Sequence, residues 1–196
     1  SGKGGTGKTT VSALLVRALV RAGEKPVLAV DADPNANLHE ALGMTLEGTL
    51  GCMREEAFRE SIPPGMARND YLALRFRQSL VEGEGFDLIA MGRPEGPGCY
   101  CAANHLVARF MEILGKNYPY ILMDNEAGME HMSRLTTKNV DLLVLVSDPS
   151  WRSIQAARRL KDLASQLKVV VGRAVLLVNR ADNGLSDRAQ EEIATQ

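Results

Sequence analysis

The first ten residues, SGKGGTGKTT, carry the side chains best suited to chemistry. They contain the pattern G-x-x-x-x-G-K-S/T, with Gly2, Gly7, Lys8 and Thr9 in the fixed positions. Glycine at this density lets the backbone N–H groups of Gly4, Gly5, Thr6 and Gly7 converge on phosphate oxygens. A helix starting near Lys8 adds the positive end of its dipole. Lys8 is placed to bridge the β- and γ-phosphates of a nucleoside triphosphate, Thr9 to ligate Mg2+ and Thr10 to reach the α-phosphate. A glycine-rich turn without a ligand accounts for neither the lysine nor the threonine.

Three other sets of residues have chemical potential. Asp31 and Asp33 follow an apolar run in VLAVDADPNANL; Asp31 suits a water-mediated hold on Mg2+, and the pair can also cap a helix over Asn37 to Leu42. Asp124 ends the run from Tyr120 to Met123, an apolar strand followed by an acid in the Walker B form, so it suits a second water-mediated hold on Mg2+. Cys99 and Cys101 form a C-x-C between a Pro/Gly loop, Arg93 to Gly98, and a helix expected from Asn104 to Lys116. A helix N-terminus lowers a thiol pKa and favours the thiolate that binds metal. One C-x-C supplies two ligands where a closed soft-metal site takes four; two packed structural cysteines or a redox disulfide are the other readings. Cys52 stands alone as a packed or surface thiol. Asn125, Glu126 and His131 carry no assigned role, and His131 reads as a hydrogen-bonded histidine at a helix start.

To reach a phosphate, these acids must sit at the carboxyl ends of strands that open on one crevice. The apolar runs Val27 to Val30, Phe86 to Met91, Tyr120 to Met123, Leu142 to Val146 and Ala174 to Val178 read as buried strands. Helical periods separate them. From Lys8 to Ala22 the expected face is Val11, Leu14, Leu15, Ala18, Leu19 and Ala22. From Ser150 to Leu167 it is Trp151, Ile154, Ala157, Leu160, Ala164 and Leu167. The stretch from Thr45 to Leu80 is less regular and suggests two short helices around Pro63-Pro64-Gly65. Strands apolar on both faces and separated by helices imply an α/β domain, doubly wound, with a mainly parallel sheet and helices on both faces. Ser1 already sits in a loop that normally follows a strand, so a first strand is expected upstream of it. Ser186 to Gln196 reads as a helix start. The expectation is a single P-loop domain over residues 1–196, cut at both ends.

Composition narrows the function further. The chain has 196 residues, 45% hydrophobic and 24% charged, which argues against disorder. Aromatics make up 5%, too few for a stacking platform on single-stranded nucleic acid. With 23 basic and 24 acidic residues the net charge is −1, so no bulk field draws the chain to nucleic acid or to an anionic membrane. Runs such as Leu142 to Val146 are too short to span a bilayer. Three cysteines make no disulfide framework, which points to a reducing compartment.

Lys3 extends the loop to K-G-G-x-G-K-T, which resembles the deviant Walker A motif of the MinD/ParA/iron-protein class of P-loop ATPases. That resemblance implies a face-to-face homodimer in which Lys3 reaches the partner's phosphates, a cation supplied in trans like an arginine finger. It implies that Asp33, just before Pro34, is the switch I acid that orients the attacking water, and that Gly128 belongs to switch II. It further implies that Asn179, beside Arg180, recognises adenine, which makes the nucleotide ATP or ADP. In such a dimer two C-x-C elements meeting on the two-fold axis would form a four-thiolate site suited to Ni2+ or Zn2+.

The loop, DADP, GPGCYC and DNEAGMEH together are similar to the nickel-insertion ATPases of carbon monoxide dehydrogenase maturation, the CooC type, from Ser1 to about Asn179. This resemblance implies a cytoplasmic, ATP-hydrolysing metallochaperone that dimerises with nucleotide and metal. Its client would be carbon monoxide dehydrogenase or acetyl-CoA synthase, with no nucleic-acid partner. Two other readings stay open. An iron-protein-like redox or cluster carrier shares the loop, but residues 128–134 contain no cysteine. A ParA/MinD-like positioning ATPase would use Arg152, Arg158, Arg159, Lys161, Lys168 and Arg173 as a DNA patch, where a solvated helix face is the plainer account.

Overall fold

Strand β1, Val27–Asp31, is buried along its whole length, as an unbroken apolar run covered on both faces requires. It lies in a computed structural model that describes residues 2–93, 115–126, 139–167, 169–182 and 184–194. The chain divides into two compact units, one of Thr9–Asp124 and one of Ser1–Lys8 with Asn125–Gln196. The C-x-C element, the helix expected from Asn104, Gly128 and His131 lie outside the described residues; Gly115–Asn117 form a short 3-10 turn.

In the first unit β1 pairs in parallel with β3, Phe86–Ala90, on one side and with β4, Tyr120–Asp124, on the other. A two-residue strand β2, Val81–Glu82, closes the edge antiparallel to β3, so the sheet order is β2-β3-β1-β4. The register sets Asp31 directly beside Asp124. Helix α1, Lys8–Arg21, buries Val11, Ser12, Ala13 and Val16. This departs from the expected face, since Leu14 is 61% exposed and Leu15 and Ala18 are exposed as well. The helix is apolar almost all round, so period alone did not choose a side. The face that packs is the one with small residues, which bring the helix close to Val27, Ala29 and Leu88.

The irregular stretch does hold two helices, α3 at Leu50–Arg59 and α4 at Arg68–Gln78, after a single-turn helix α2, Leu38–Leu42. Thr49 caps α3 by accepting from the Cys52 N–H. Arg75 of α4 reaches Glu56 of α3 at 2.6 Å, and Tyr71 donates to Glu60.

In the second unit β5, Asn139–Ser147, and β6, Val170–Val178, pair in parallel through α5, Trp151–Gln166. Both strands start earlier than their apolar runs suggested. Ser150 caps α5, and Ile154, Ala157 and Ala164 of the expected stripe are buried. The terminal helix α6, Asp187–Ala194, is held by Arg188, 3.8 Å above the Trp151 ring, and by an Arg158–Glu192 ion pair at 3.0 Å. Gly2 adds an isolated parallel bridge to Val146 of β5.

Candidate functional site

The phosphate loop and its neighbours belong to the second unit. Gly2 bridges Val146, so the loop leaves from the carboxyl end of β5. The Thr6 hydroxyl, buried, donates to the Lys3 carbonyl at 3.0 Å, and Lys8 Nζ donates to the same oxygen at 3.1 Å. The ammonium of Lys8 is thereby folded over the loop. Asn179, at the end of β6, donates from Nδ2 to the Thr6 carbonyl at 3.0 Å, while its own N–H bonds the Ser147 carbonyl at 2.8 Å. Gly7 has φ +91°, and a Cβ there would lie 2.5 Å from Asn179 Nδ2, so both its conformation and its closeness to Asn179 require glycine. Among the described residues the N–H groups of Gly4, Gly5 and Gly7 bond no protein acceptor, which is what an anion-binding loop needs.

Arg180 follows in the left-handed region at φ 59°, its N–H on Asn179 Oδ1 at 3.0 Å. With one hydrogen of Nδ2 and one lone pair of Oδ1 used internally, the amide keeps one donor and one acceptor. That pair complements N7 and N6 of adenine.

Sequence reading overlooked Asp148, at the end of β5. Its Oδ1 accepts from the Ser150 N–H at 2.9 Å and from the Ser150 hydroxyl. Partial burial opposes its ionisation, yet those two bonds and the positive charges of Lys3 and Arg180 hold its carboxyl below the usual range. The available signal was its form: an acid just after an apolar strand and before a proline, as in DADP.

The carboxylates belong to the first unit. Asp31 and Asp124, both nearly inaccessible, end neighbouring strands. Asp31 Oδ1 accepts from the Asp33 N–H at 3.0 Å and Oδ2 from the Leu38 N–H at 2.8 Å. Asp31 is therefore the cap of α2 across seven residues, and Asn37 makes no side-chain cap bond. Burial raises its pKa to about 6, against the lowering effect of the Leu38 and Asp33 bonds, and the charges of Asp124 and Asp33 add to the rise. Asp124 Oδ1 accepts from the buried Ser12 hydroxyl at 3.1 Å, a contact between residues 112 apart in sequence. Asp33 is half-buried, with its Oδ1 turned to Asn35. Thr9 and Thr10 lie in the first turn of α1, Thr9 partly covered and Thr10 exposed. Among the described residues no three His, Cys, Asp or Glu side chains come together as a ready ion cage, and no helix is long and apolar enough to cross a membrane.

Along residues 1–196 the chain matches the CobQ/CobB/MinD/ParA nucleotide binding domain. It belongs to that family. An uncharacterized ATP-binding protein of Methanocaldococcus jannaschii is 44% identical over 184 residues, 92% of this chain and 72% of that protein. The carbon monoxide dehydrogenase accessory protein CooC of Rhodospirillum rubrum is 36% identical over 207 residues, 97% of this chain and 78% of that protein. The fold is that of the solved ParA family ATPase from Chlorobium tepidum, with a TM-score of 0.71 at 24% identity, covering 98% of this chain and 78% of that one. The chain is thus an ATP-binding P-loop ATPase of the MinD/ParA type. The expected mainly parallel α/β architecture is borne out by the sheet and by this likeness.

Proposed function

We propose that this ATPase is a nickel-insertion metallochaperone serving carbon monoxide dehydrogenase or the related acetyl-CoA synthase. The observation that carries the reading is the 36% identity to CooC along 97% of the chain. The C-x-C of Cys99 and Cys101 gives it a chemical basis, because two thiolates from each of two copies make a soft-metal site. The metal is cargo, Ni2+ or Zn2+, and the working unit is a homodimer.

In this reading Lys8 and the loop amides neutralise the β- and γ-phosphates, Thr10 bonds the α-phosphate, and Asn179 with Arg180 receives the adenine. Thr9 would hold Mg2+ directly and Asp31 and Asp124 would hold it through water, and the ion would supply shielding of phosphate charge. Burial raises the pKa of Asp31, and the charges of Asp124 and Asp33 add a repulsion that a nearby cation would relieve. Asp33 orients the attacking water. Lys3 of a second copy places a cation against the charge that builds on the transferred phosphoryl group; its side chain is exposed, as that reach demands.

Metal content and oligomer mass, with and without nucleotide, test the proposal. One soft ion per dimer is expected, and added Ni2+ should raise the dimer fraction. Cys99→Ala with Cys101→Ala should abolish both and leave ATP binding intact, whereas Cys52→Ala should change neither. One ion per chain that persists in the double variant would sink the shared-thiolate reading. A bound iron–sulfur cluster would replace it with a redox carrier.

A further inference from the structure

Asp33 does not stand alone in its turn. Its Oδ1 accepts from the Asn35 N–H at 2.8 Å and from Asn35 Nδ2 at 3.0 Å. The backbone bond of that local turn needs no distant help, but the side-chain bond does. Asn35 Oδ1 accepts from Arg93 Nη2 at 2.7 Å, across 58 residues. A guanidinium can only donate and an ionised carboxylate can only accept. An amide between them therefore fits one way round, oxygen toward Arg93 and nitrogen toward Asp33. The cation polarises the amide and strengthens its hold on the carboxylate.

The backbone is built to deliver both ends. Met91 N–H bonds the Asp31 carbonyl at 2.8 Å, tying the end of β3 to the end of β1. Gly92 then turns at φ +65°, where a Cβ would run into the Thr49 side chain at 2.3 Å, and the chain passes to Arg93. On the other side Ala36, without a glycine's freedom, takes φ 51°, with its N–H on the Asp33 carbonyl at 3.0 Å. Among the described residues Asp33 Oδ2 accepts no hydrogen bond, so the carboxylate has one oxygen anchored and one left for water.

We propose that Asn35 and Arg93 are positioning residues, a relay that aims the free oxygen of Asp33 at the attacking water. The inference rests on the reading of Asp33 as the water-orienting acid. Neither residue touches nucleotide in this scheme, so both act on turnover and not on affinity.

Steady-state ATP hydrolysis and equilibrium ATP binding on the full chain test the relay. Arg93→Ala and Asn35→Ala should each lower kcat roughly tenfold or more, as a misaimed group does, with an unchanged Kd for ATP. Both side chains are exposed, so the fold should tolerate the changes. Arg93→Lys still donates one bond to Asn35 Oδ1 and should recover most of the parent kcat. In an Asp33→Asn background, Arg93→Ala should add nothing, because the carboxylate that the relay aims is already gone. Parent turnover in Arg93→Ala, failure of the lysine variant to recover, or a further loss on top of Asp33→Asn would each overturn the relay. A slow Asp33→Asn enzyme beside an unaffected Arg93→Ala enzyme removes the relay alone. Parent turnover in Asp33→Asn removes the role of Asp33 itself.

Discussion

Around the phosphate loop, side chains and carbonyls find partners of opposite character, while among the described residues the N–H groups of Gly4, Gly5 and Gly7 stay open to an anion. The Lys3 carbonyl takes the Thr6 hydroxyl and the Lys8 ammonium, the Thr6 carbonyl takes Asn179, and Asp148 has Lys3 and Arg180 as counter-charges. Around β1 and β4 the reverse holds. Asp31, Asp33 and Asp124 gather like charges, and Asp31 keeps its proton up to about pH 6. Two acids at strand ends therefore titrate in opposite directions, Asp148 below the usual range and Asp31 above it. The difference is environment: Asp148 is half-exposed beside cations, Asp31 is sealed beside anions. In the loop region the charged side chains are balanced by their neighbours, whereas the carboxylate region holds a repulsion that a cation or a proton relieves.

The largest expected effect removes a cation from the balanced side. Lys3→Ala should leave ATP binding by the single chain nearly intact and lower turnover by about 10³-fold, as loss of a cation finger in trans does. Titration of ATP affinity alongside single-turnover hydrolysis checks both halves. Equal losses in both would place Lys3 in its own chain's site.

Next in size is Asp31→Asn, which removes the titrating proton together with one of the two backbone bonds the carboxyl accepts, a loss that does not change with pH. The pKa of Asp31 is raised, so the folded chain binds this proton more tightly than the unfolded chain does. Its stabilising effect is complete below pH 4 and is lost as pH rises toward 6. The variant has no such loss. Its stability relative to the parent should therefore grow between pH 4 and pH 7, by up to about 3 kcal/mol. Urea melts of both proteins across that range measure it, and a flat difference would show that Asp31 is not held protonated.

Asp148→Asn should give the smallest effect and the opposite slope. Its lowered pKa means that the parent's advantage is present at neutral pH and fades as pH falls through the folded-state pKa. Asparagine keeps an acceptor for Ser150, so the start of α5 survives and the charge alone is tested. The same melts, compared from pH 7 to pH 3, decide it; a slope of the same sign as that of Asp31→Asn would break the contrast between the regions.

What could be read from residue order is what depends on neighbours in sequence. The loop is legible because phosphate recognition by successive N–H groups is a property of one contiguous segment, and Lys3 lies inside it. The spans of α1 and α5, the hairpin around Pro63-Pro64-Gly65 and the acids at the ends of β1 and β4 follow for the same reason. Spacing and punctuation encode local conformation directly. Tertiary structure decided what depends on which strands lie side by side. Period could not choose the buried face of a helix with apolar residues nearly all round, and packing against β1 chose the face with Ser12 and Ala13. The raised pKa of Asp31 needs the register that sets Asp124 beside it. Ser12 on Asp124 and Arg93 on Asn35 join residues 112 and 58 apart. A side chain's charge state and aim are set by whatever the fold brings within a few ångströms, and for these groups that partner comes from a distant element.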